Sequence, residues 1–452
     1  MYKRTGSVLK IKDQFCGAGG TSQGAKRLIV KLGGGLEITV AVNHWKIALQ
    51  THARNFPNTL HVQTNMATSK PERFPTTDIL LTSPECTWQG YARNKSLDKI
   101  KAAQSELFND DAEERSRATM WDVPRFAEFH NYGLIIVENV PGAYKWINFP
   151  DWLNAMTRQG YDYKINYLNS MFFHPTPQSR DRMYIVFWKK GNRIPDLEFT
   201  PNAYCHKCEH DNESIQTWKK DDFHWGAYGQ RRQYTYNCSV CNSVVEPYRY
   251  AAFNIIDWTN PGKLIGDRLA PATRNRIQMG IDRYNDEPFM LKVNRSLKDY
   301  SIFEPLYTIA AGGRHHGIVT PFIVENKGKS TVRDVQEALS TVTTVPYHGI
   351  VTTDSWHCFL NYYYKTPQFT SLSDAIRTIT TKDRTGIVTF QKPKIGECYY
   401  RMLGVKEIHK GMNFDDDYIV LGSPEEQVRQ YGNAVNPQVM TWLLERGIQT
   451  FN

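Results

Sequence analysis

No stretch of this sequence is long and apolar enough to span a bilayer: runs such as Leu134-Ile135-Ile136-Val137 fall far short of the roughly 20 residues required. The first twelve residues also lack the apolar core of an export signal. Both absences argue against a membrane-spanning or secreted protein, and the cytoplasm is the expected location. Cysteine is scarce, 8 in 452 residues, which excludes a disulfide scaffold. Four of the eight form two CxxC pairs, a pattern that in a reducing compartment favours a metal over disulfides. Acidic residues are in deficit, 46 against 55 Lys and Arg, for a net charge of +9. A surplus of this size suits a polyanionic partner, and it equally suits plain solvation. With 40% hydrophobic and 22% charged residues the composition excludes disorder, collagen and coiled coil. The length accommodates at most about three domains.

What is present is a pattern. Over residues 1–190 strand, loop and helix alternate, which predicts an α/β fold with a mostly parallel, Rossmann-like sheet. Strands are expected over 7–15, 37–42, 78–82, 134–137 and 182–188, with a helix over 21–30. From about residue 190 helical periodicity fades and Tyr, Trp, Asn and basic residues rise, so a second, β-rich domain is expected over 191–385. A Thr-rich phrase recurs three times, as Thr308-Ile-Ala-Ala with Gly317-Ile-Val-Thr, Thr341-Val-Thr-Thr with Gly349-Ile-Val-Thr, and Thr378-Ile-Thr-Thr with Gly386-Ile-Val-Thr. These phrases read as three related β hairpins. The segment 386–452 is expected to return to the first domain, with a turn at Gly432-Asn433-Ala434-Val435 followed by a helix.

Five places carry possible chemistry. Phe15-Cys16-Gly17-Ala18-Gly19-Gly20 joins a strand to a helix, where glycines admit a ligand close to the backbone; a glycine turn that only closes strand onto helix looks the same. After the second strand, where nucleotide-binding sheets commonly place an acid for the ribose hydroxyls, stands Asn43-His44-Trp45. Asn43 or His44 can hydrogen-bond a hydroxyl and Trp45 can pack on a purine. Pro84-Glu85-Cys86 follows the strand over 78–82, so the Cys86 thiol is either a nucleophile at a carboxyl end or a packed small residue. Glu138 and Asn139 end another apolar strand, where a carboxylate can deliver a proton or simply form a salt bridge. In Gln178-Ser179-Arg180-Asp181-Arg182 the two arginines project to one side of a strand, as surface charge or as a clamp for a carbonyl or phosphate.

In this order, and with Arg377-Thr-Ile-Thr-Thr381 and Gly432-Asn-Ala-Val-Asn-Pro437 following, these motifs resemble the DNA cytosine-5 methyltransferases over nearly the whole chain. The resemblance implies a transfer of methyl from S-adenosylmethionine to C5 of a cytosine flipped out of duplex DNA. It implies Cys86 as the nucleophile that adds to C6, Glu138 at N3, Arg180 and Arg182 at the C2 carbonyl, and Gln178 as a residue that orients the loop. Phe15, Gly17, Gly19, Asn43, His44, Asn65, Pro84, Asn433 and Val435 are expected at the cofactor, so the two chain ends should meet. The implied partner is double-stranded DNA, bound by a monomer in the cytoplasm of a bacterial or phage-infected cell, in a restriction-modification or related role. Two departures stand out: Glu85 occupies the place before the nucleophile usually held by proline, and Asn65 stands where an Asp commonly contacts adenine. The alternatives are an RNA cytosine-5 methyltransferase and a catalytically silent DNA-binding relative.

Cys205-x-x-Cys208 and Cys238-x-x-Cys241 have the spacing of a four-thiolate structural Zn2+ site. They fall in the region where the resembled family recognises its target. Lys219, Lys220, Arg231, Arg232 and Arg249, with many aromatics, suit phosphate and base contacts there, although a zinc-stapled insertion without base contact has the same composition.

Overall fold

The computed structural model describes residues 8–84, 110–221, 224–257, 259–260, 263–265, 269, 271–284, 289–293, 297–302, 304–309, 316–320, 323–325, 331–333, 358–362, 368–371, 385–389, 395 and 398–452. The chain forms two compact units, Met1–Ile255 with Pro305–Gly313 and Val405–Asn452, and Ile256–Glu304 with Arg314–Gly404.

The first unit is built on β1 (Leu9–Gln14), α1 (Gly20–Leu32), β2 (Leu36–Asn43), α2 (Lys46–Asn55), β3 (Leu60–Gln63), β4 (Ile79–Thr82), α3 (Asp110–His130), β5 (Leu134–Asn139), α4 (Phe149–Arg158), β6 (Tyr161–Asn169), β7 (Gln178–Ser179) and β8 (Asp181–Lys189). Seven strands form one sheet in the order β3-β2-β1-β4-β5-β8-β6. β1 to β5 run parallel, and β8 and β6 are antiparallel to their neighbours. Parallel strands are covered on both faces, which is why Ile79-Leu80-Leu81 and residues 134–137 are unbroken apolar runs with no exposed surface. β3, whose four side chains are half-buried or exposed, has no such run and no signal in the sequence. The strand order reverses beside β1, so a crevice opens beyond the carboxyl ends of β1 and β4.

The first unit continues past residue 190. β9 (Asn202–Cys205), β10 (His210–Trp218), β11 (Tyr234–Cys238) and β12 (Val244–Val245) form a four-stranded antiparallel sheet. Aromatic packing attaches it to the main sheet: Tyr167 meets Trp218 edge-on, and Phe172 meets Tyr228 and Tyr236.

The second unit holds a separate antiparallel sheet. β13 (Lys263–Leu264), the strand Tyr399–Met402, β17 (His316–Thr320), β14 (Phe289–Val293) and β15 (Leu297–Ser301) pair in that order, with helix α5 (Pro271–Tyr284) in the same unit. Ile265, Ile277, Ile281 and Cys398 form its core. The first Gly-Ile-Val-Thr phrase lies in β17 and the third in the strand Thr385–Thr389, which belong to different sheets; the second lies outside the described residues.

The chain then rejoins the first unit through α6 (Val405–Gly411), α7 (Pro424–Asn433) and α8 (Pro437–Gly447). The chain ends do meet. Arg27 donates to Asp415 Oδ1 at 2.9 Å and to Asn413 O at 2.8 Å, and Thr441 Oγ1 donates to Gly24 O at 3.0 Å. A Cβ at Gly24 would lie 2.6 Å from Pro437 O, so this helix contact admits no side chain. Gly24→Ala is expected to cost about 1–3 kcal/mol through overpacking, read as a shift in urea unfolding; an unchanged midpoint would refute the contact. Among the described residues no helix is long and apolar enough to cross a membrane.

The Lys12 ammonium is buried without a hydrogen-bond partner. Lys12 Nζ sits between the Phe74 and Phe126 rings, 4.0 and 3.9 Å from their centroids. Burial, with the nearby Arg125 cation, brings its pKa from 10.5 down to about 7. The unfolded chain therefore binds more protons between pH 7 and about 10, so this group makes stability rise with pH across that window and costs most below pH 7. Lys12→Met should raise stability near pH 6.5 by about 1–4 kcal/mol and flatten the slope to pH 9 in denaturant titrations. A destabilised variant would mean the cation–π contacts outweigh the burial cost.

Candidate active site

β1 delivers the glycine loop. Phe15 follows it at φ 62, and Gly17 and Gly19 are at φ 52 and 85, all in the left-handed region. For an aromatic residue that conformation is strained by about 1–3 kcal/mol, so the loop is held by its surroundings. A Cβ at Gly19 would fall 2.3 Å from the Tyr418 hydroxyl, which itself donates to Ala18 O at 2.5 Å. α1 starts without a side-chain cap, and the carboxylate of Asp13 beneath it accepts from the hydroxyls of Thr21 and Ser22, the latter at 2.6 Å. Burial pushes Asp13 up to about 6. Ser22 Oγ is 2.9 Å from His52 Nε2, and His52 Nδ1 is 2.9 Å from His61 Nε2, so a polar chain runs from β1 to the sheet edge. Burial pushes His52 down to about 3, and burial with the Asp13 charge pushes the Cys16 thiol well up. Cys16 stays protonated and buried, which removes it as a nucleophile.

A cavity of about 470 Å³ lies beyond these carboxyl ends. Phe15, Gly17, Asn43, His44, Pro84 and Asn433 line it on the cofactor side of the sequence expectation, and Glu138, Arg180 and Arg182 on the catalytic side. Trp45 and Arg429 also line it, with the guanidinium 4.7 Å from the indole centroid. Arg429 belongs to no motif in the sequence; with Asn433 it shares one face of α7 at helical spacing, which is the signal that connects it to the site. The Asn43 side chain accepts from Trp45 N at 2.9 Å and so shapes the turn as well.

Glu138 and Arg182 pair at 2.7 Å, Oε1 to Nε, with side chains 10% and 16% exposed. Asn139 Nδ2 donates to Pro84 O at 3.4 Å and links β5 to the turn after β4. Arg180 is used differently from Arg182. Its buried guanidinium donates to Gly432 O and Ala434 O at 3.1 Å and to Ile309 O at 3.4 Å, so it holds the turn that carries Asn433. Burial and the Arg182 cation lower Arg180 to about 9. Gln178 is fully buried, its amide without a hydrogen-bond partner, and it does not line the cavity. Nor does Asn65, whose side chain caps a short helical turn by accepting from Ala67 N at 3.1 Å. Gly19 and Val435 act behind the wall: Val435 O packs where a Cβ of Gly20 would be. Glu85, Cys86 and Arg377-Thr-Ile-Thr-Thr381 lie outside the described residues; Pro84, two positions before Cys86, is at the cavity.

Residues 9–449 match the C-5 cytosine-specific DNA methylase family. The chain belongs to that family. S-adenosylmethionine is the cofactor that family implies. Among similar proteins, the Type II methyltransferase M.Bsp6I of Bacillus sp. (strain RFL6) is 27% identical over 192 residues, 42% of this chain and 56% of that one. The matched region thus spans little more than half of that relative. In fold, the chain resembles S. pombe Dnmt2 (TM-score 0.51, 13% identity) and a Spodoptera frugiperda DNMT2 variant (0.50, 16%), each over 99% of this chain and all of the other. Entamoeba histolytica methyltransferase EhMeth is similar at 0.50 and 11%, with the same coverage.

The cavity fits the cofactor that the family implies. A Cβ built on Gly17 meets only Phe15 O, at 4.0 Å, so its absence leaves room for a ligand against the backbone. Phe15 and Trp45 offer aromatic faces and Asn43, His44 and Asn433 offer polar groups, as a nucleoside requires. The four knuckle thiols also fit a metal. Their Sγ atoms lie within 4.8 Å of one another, close to the ~3.8 Å edge of a ZnS4 tetrahedron. Hydrogen bonding from Ser243 holds the Cys241 thiol down to about 6, while hydrogen bonding with Cys241 pushes the Cys208 thiol up to about 12, as expected of thiols that share protons at close quarters. His210 turns to the Cys208 carbonyl at 2.6 Å, leaving four cysteines as the donor set. Lys219, expected at phosphate, instead has its ammonium on Gly229 O, at 2.8 Å, and on Gln230 O.

Proposed function

We propose that this methyltransferase acts on cytosine in duplex DNA, through a covalent Cys86 adduct and a flipped base. The observation that carries the reading is the Glu138–Arg182 pair in the same cavity as the glycine loop and Trp45. C5 of cytosine is a weak nucleophile, so the ring must first be activated. The Cys86 thiolate adds to C6 and the electron pair of the C5–C6 bond becomes available at C5. Glu138, held through Oε1 by Arg182, brings a proton on its other oxygen to N3, the acceptor nitrogen of the ring, and Arg182 faces the C2 carbonyl, where charge develops. S-adenosylmethionine supplies the electrophilic methyl on a sulfonium. C5 takes the methyl and S-adenosylhomocysteine leaves; loss of the C5 proton to solvent base then expels the Cys86 thiolate, and return of the N3 proton to Glu138 restores the neutral aromatic ring. Glu138 and Arg182 line a recessed cavity rather than the outer surface, so the base they would contact has to leave the duplex to reach them. We further propose that Zn2+ fills the cysteine site as a structural ion, that the enzyme works as a monomer, and that it serves a restriction-modification role, a reading supported by its likeness to a Bacillus protein named as a Type II methyltransferase.

Bisulfite sequencing of DNA from cells expressing the chain should show methylated cytosines in one short context. Purified protein should transfer labelled methyl to duplex DNA and leave transfer RNA unlabelled. Label on transfer RNA alone would overturn the DNA reading while leaving the chemistry intact.

A further inference from the structure

We infer that the cysteine knuckle is a brace for the catalytic arginine strand, and that Asp181 is the positioning residue through which it acts. The inference rests on the methyl-transfer reading above. Asp181 stands between Arg180 and Arg182 at the start of β8, on the opposite side of the strand from both arginines. Its Oδ1 accepts from the backbone N–H of Tyr228 at 3.0 Å and from Asn169 Nδ2 at 3.1 Å. Asn169 in turn accepts the backbone N–H of Arg180 at 3.1 Å, so one carboxylate and one amide lock the strand entry. Tyr228 belongs to the turn between β10 and β11, whose far ends carry the thiols: Ser214 pairs with Cys238, and His210 with Cys205. Two further contacts fix that turn and hairpin, Lys219 Nζ on Gly229 O at 2.8 Å and Gln216 Nε2 on Tyr167 O at 2.8 Å. A metal at the thiols sets the register of β10 against β11, the register places Tyr228 N–H, and that N–H orients Asp181 beside Arg182. Arg182 is the partner of Glu138, so slack at the knuckle reaches the catalytic carboxylate.

The test uses the full chain in its zinc-loaded form. Asp181→Ala should lower kcat for methyl transfer about tenfold, with KM for duplex DNA and the affinity for S-adenosylhomocysteine within twofold of the parent. Asp181→Asn, which keeps an acceptor oxygen for Tyr228 N–H, should recover most of kcat. Zinc removal by a chelator should lower kcat of the parent and add little to the loss in Asp181→Ala, because both act through one linkage. Independently of activity, amide exchange should quicken across the Arg182 end of β8 in Asp181→Ala and on chelation of the parent. Unchanged exchange in that strand after both treatments, or losses that multiply, would overturn the brace. If the parent transfers no methyl at all, the functional reading fails, and the exchange measurement still decides the mechanical linkage.

Discussion

Cys86→Ser is expected to lower methyl transfer by on the order of 10³-fold or more while leaving cofactor affinity unchanged. A thiol near its ordinary pKa supplies a usable fraction of thiolate at neutral pH, whereas a serine hydroxyl supplies almost none and the C6 adduct does not form. The thiols of the first unit that lie near the cavity offer no substitute. Cys16 is buried and held protonated by burial and by Asp13. The knuckle cysteines stand on a separate sheet, 36 residues apart at the extremes of 205 and 241, and engage one another. Tritium transfer from labelled cofactor, with calorimetric titration of S-adenosylhomocysteine on the same samples, reads both quantities. A serine variant as fast as the parent would remove the covalent route altogether.

Glu138→Gln is the second large effect. The carboxylate closes an ion pair whose partners are largely shielded from water, so the neutral amide leaves Arg182 without a counter-charge. Loss of the group that hydrogen-bonds the ring should reduce kcat by about 10²–10⁴-fold. Folding stability should fall by about 1–3 kcal/mol, less than for a fully buried pair because some water reaches both groups. Thermal unfolding run beside the rate assay separates the two consequences. If kcat falls by less than about threefold, Glu138 is a structural partner of Arg182 and the acid lies elsewhere.

Much of this site was legible in the sequence because its parts sit on unbroken parallel strands. Residues 134–137 and Ile79-Leu80-Leu81 announce strands that water never touches, and whatever follows them must stand at a carboxyl end of the sheet. Glu138 and Pro84 were placed on that ground, and both line the cavity. The alternation in Arg180-Asp181-Arg182 also put both arginines on one side. Legibility ended where a role depends on partners far along the chain. Arg180 reads like Arg182 in the sequence, yet its guanidinium holds Gly432 O and Ala434 O. Lys219 reads as a phosphate ligand, yet it holds the Gly229 and Gln230 carbonyls.

Composition, apolar runs and motif order by themselves determined an α/β sheet, the glycine loop, the carboxylate strand and the four-cysteine set, because each is set by residues within a few positions of one another. Tertiary structure alone decided that Arg429 stacks on Trp45 at the cavity, that Lys12 lies buried between two phenylalanine rings, and that Asp181 accepts the Tyr228 N–H from the turn between β10 and β11. Those contacts join elements far apart in sequence, and what brings them together is the burial of the sheet's faces, a collective property that no local pattern carries.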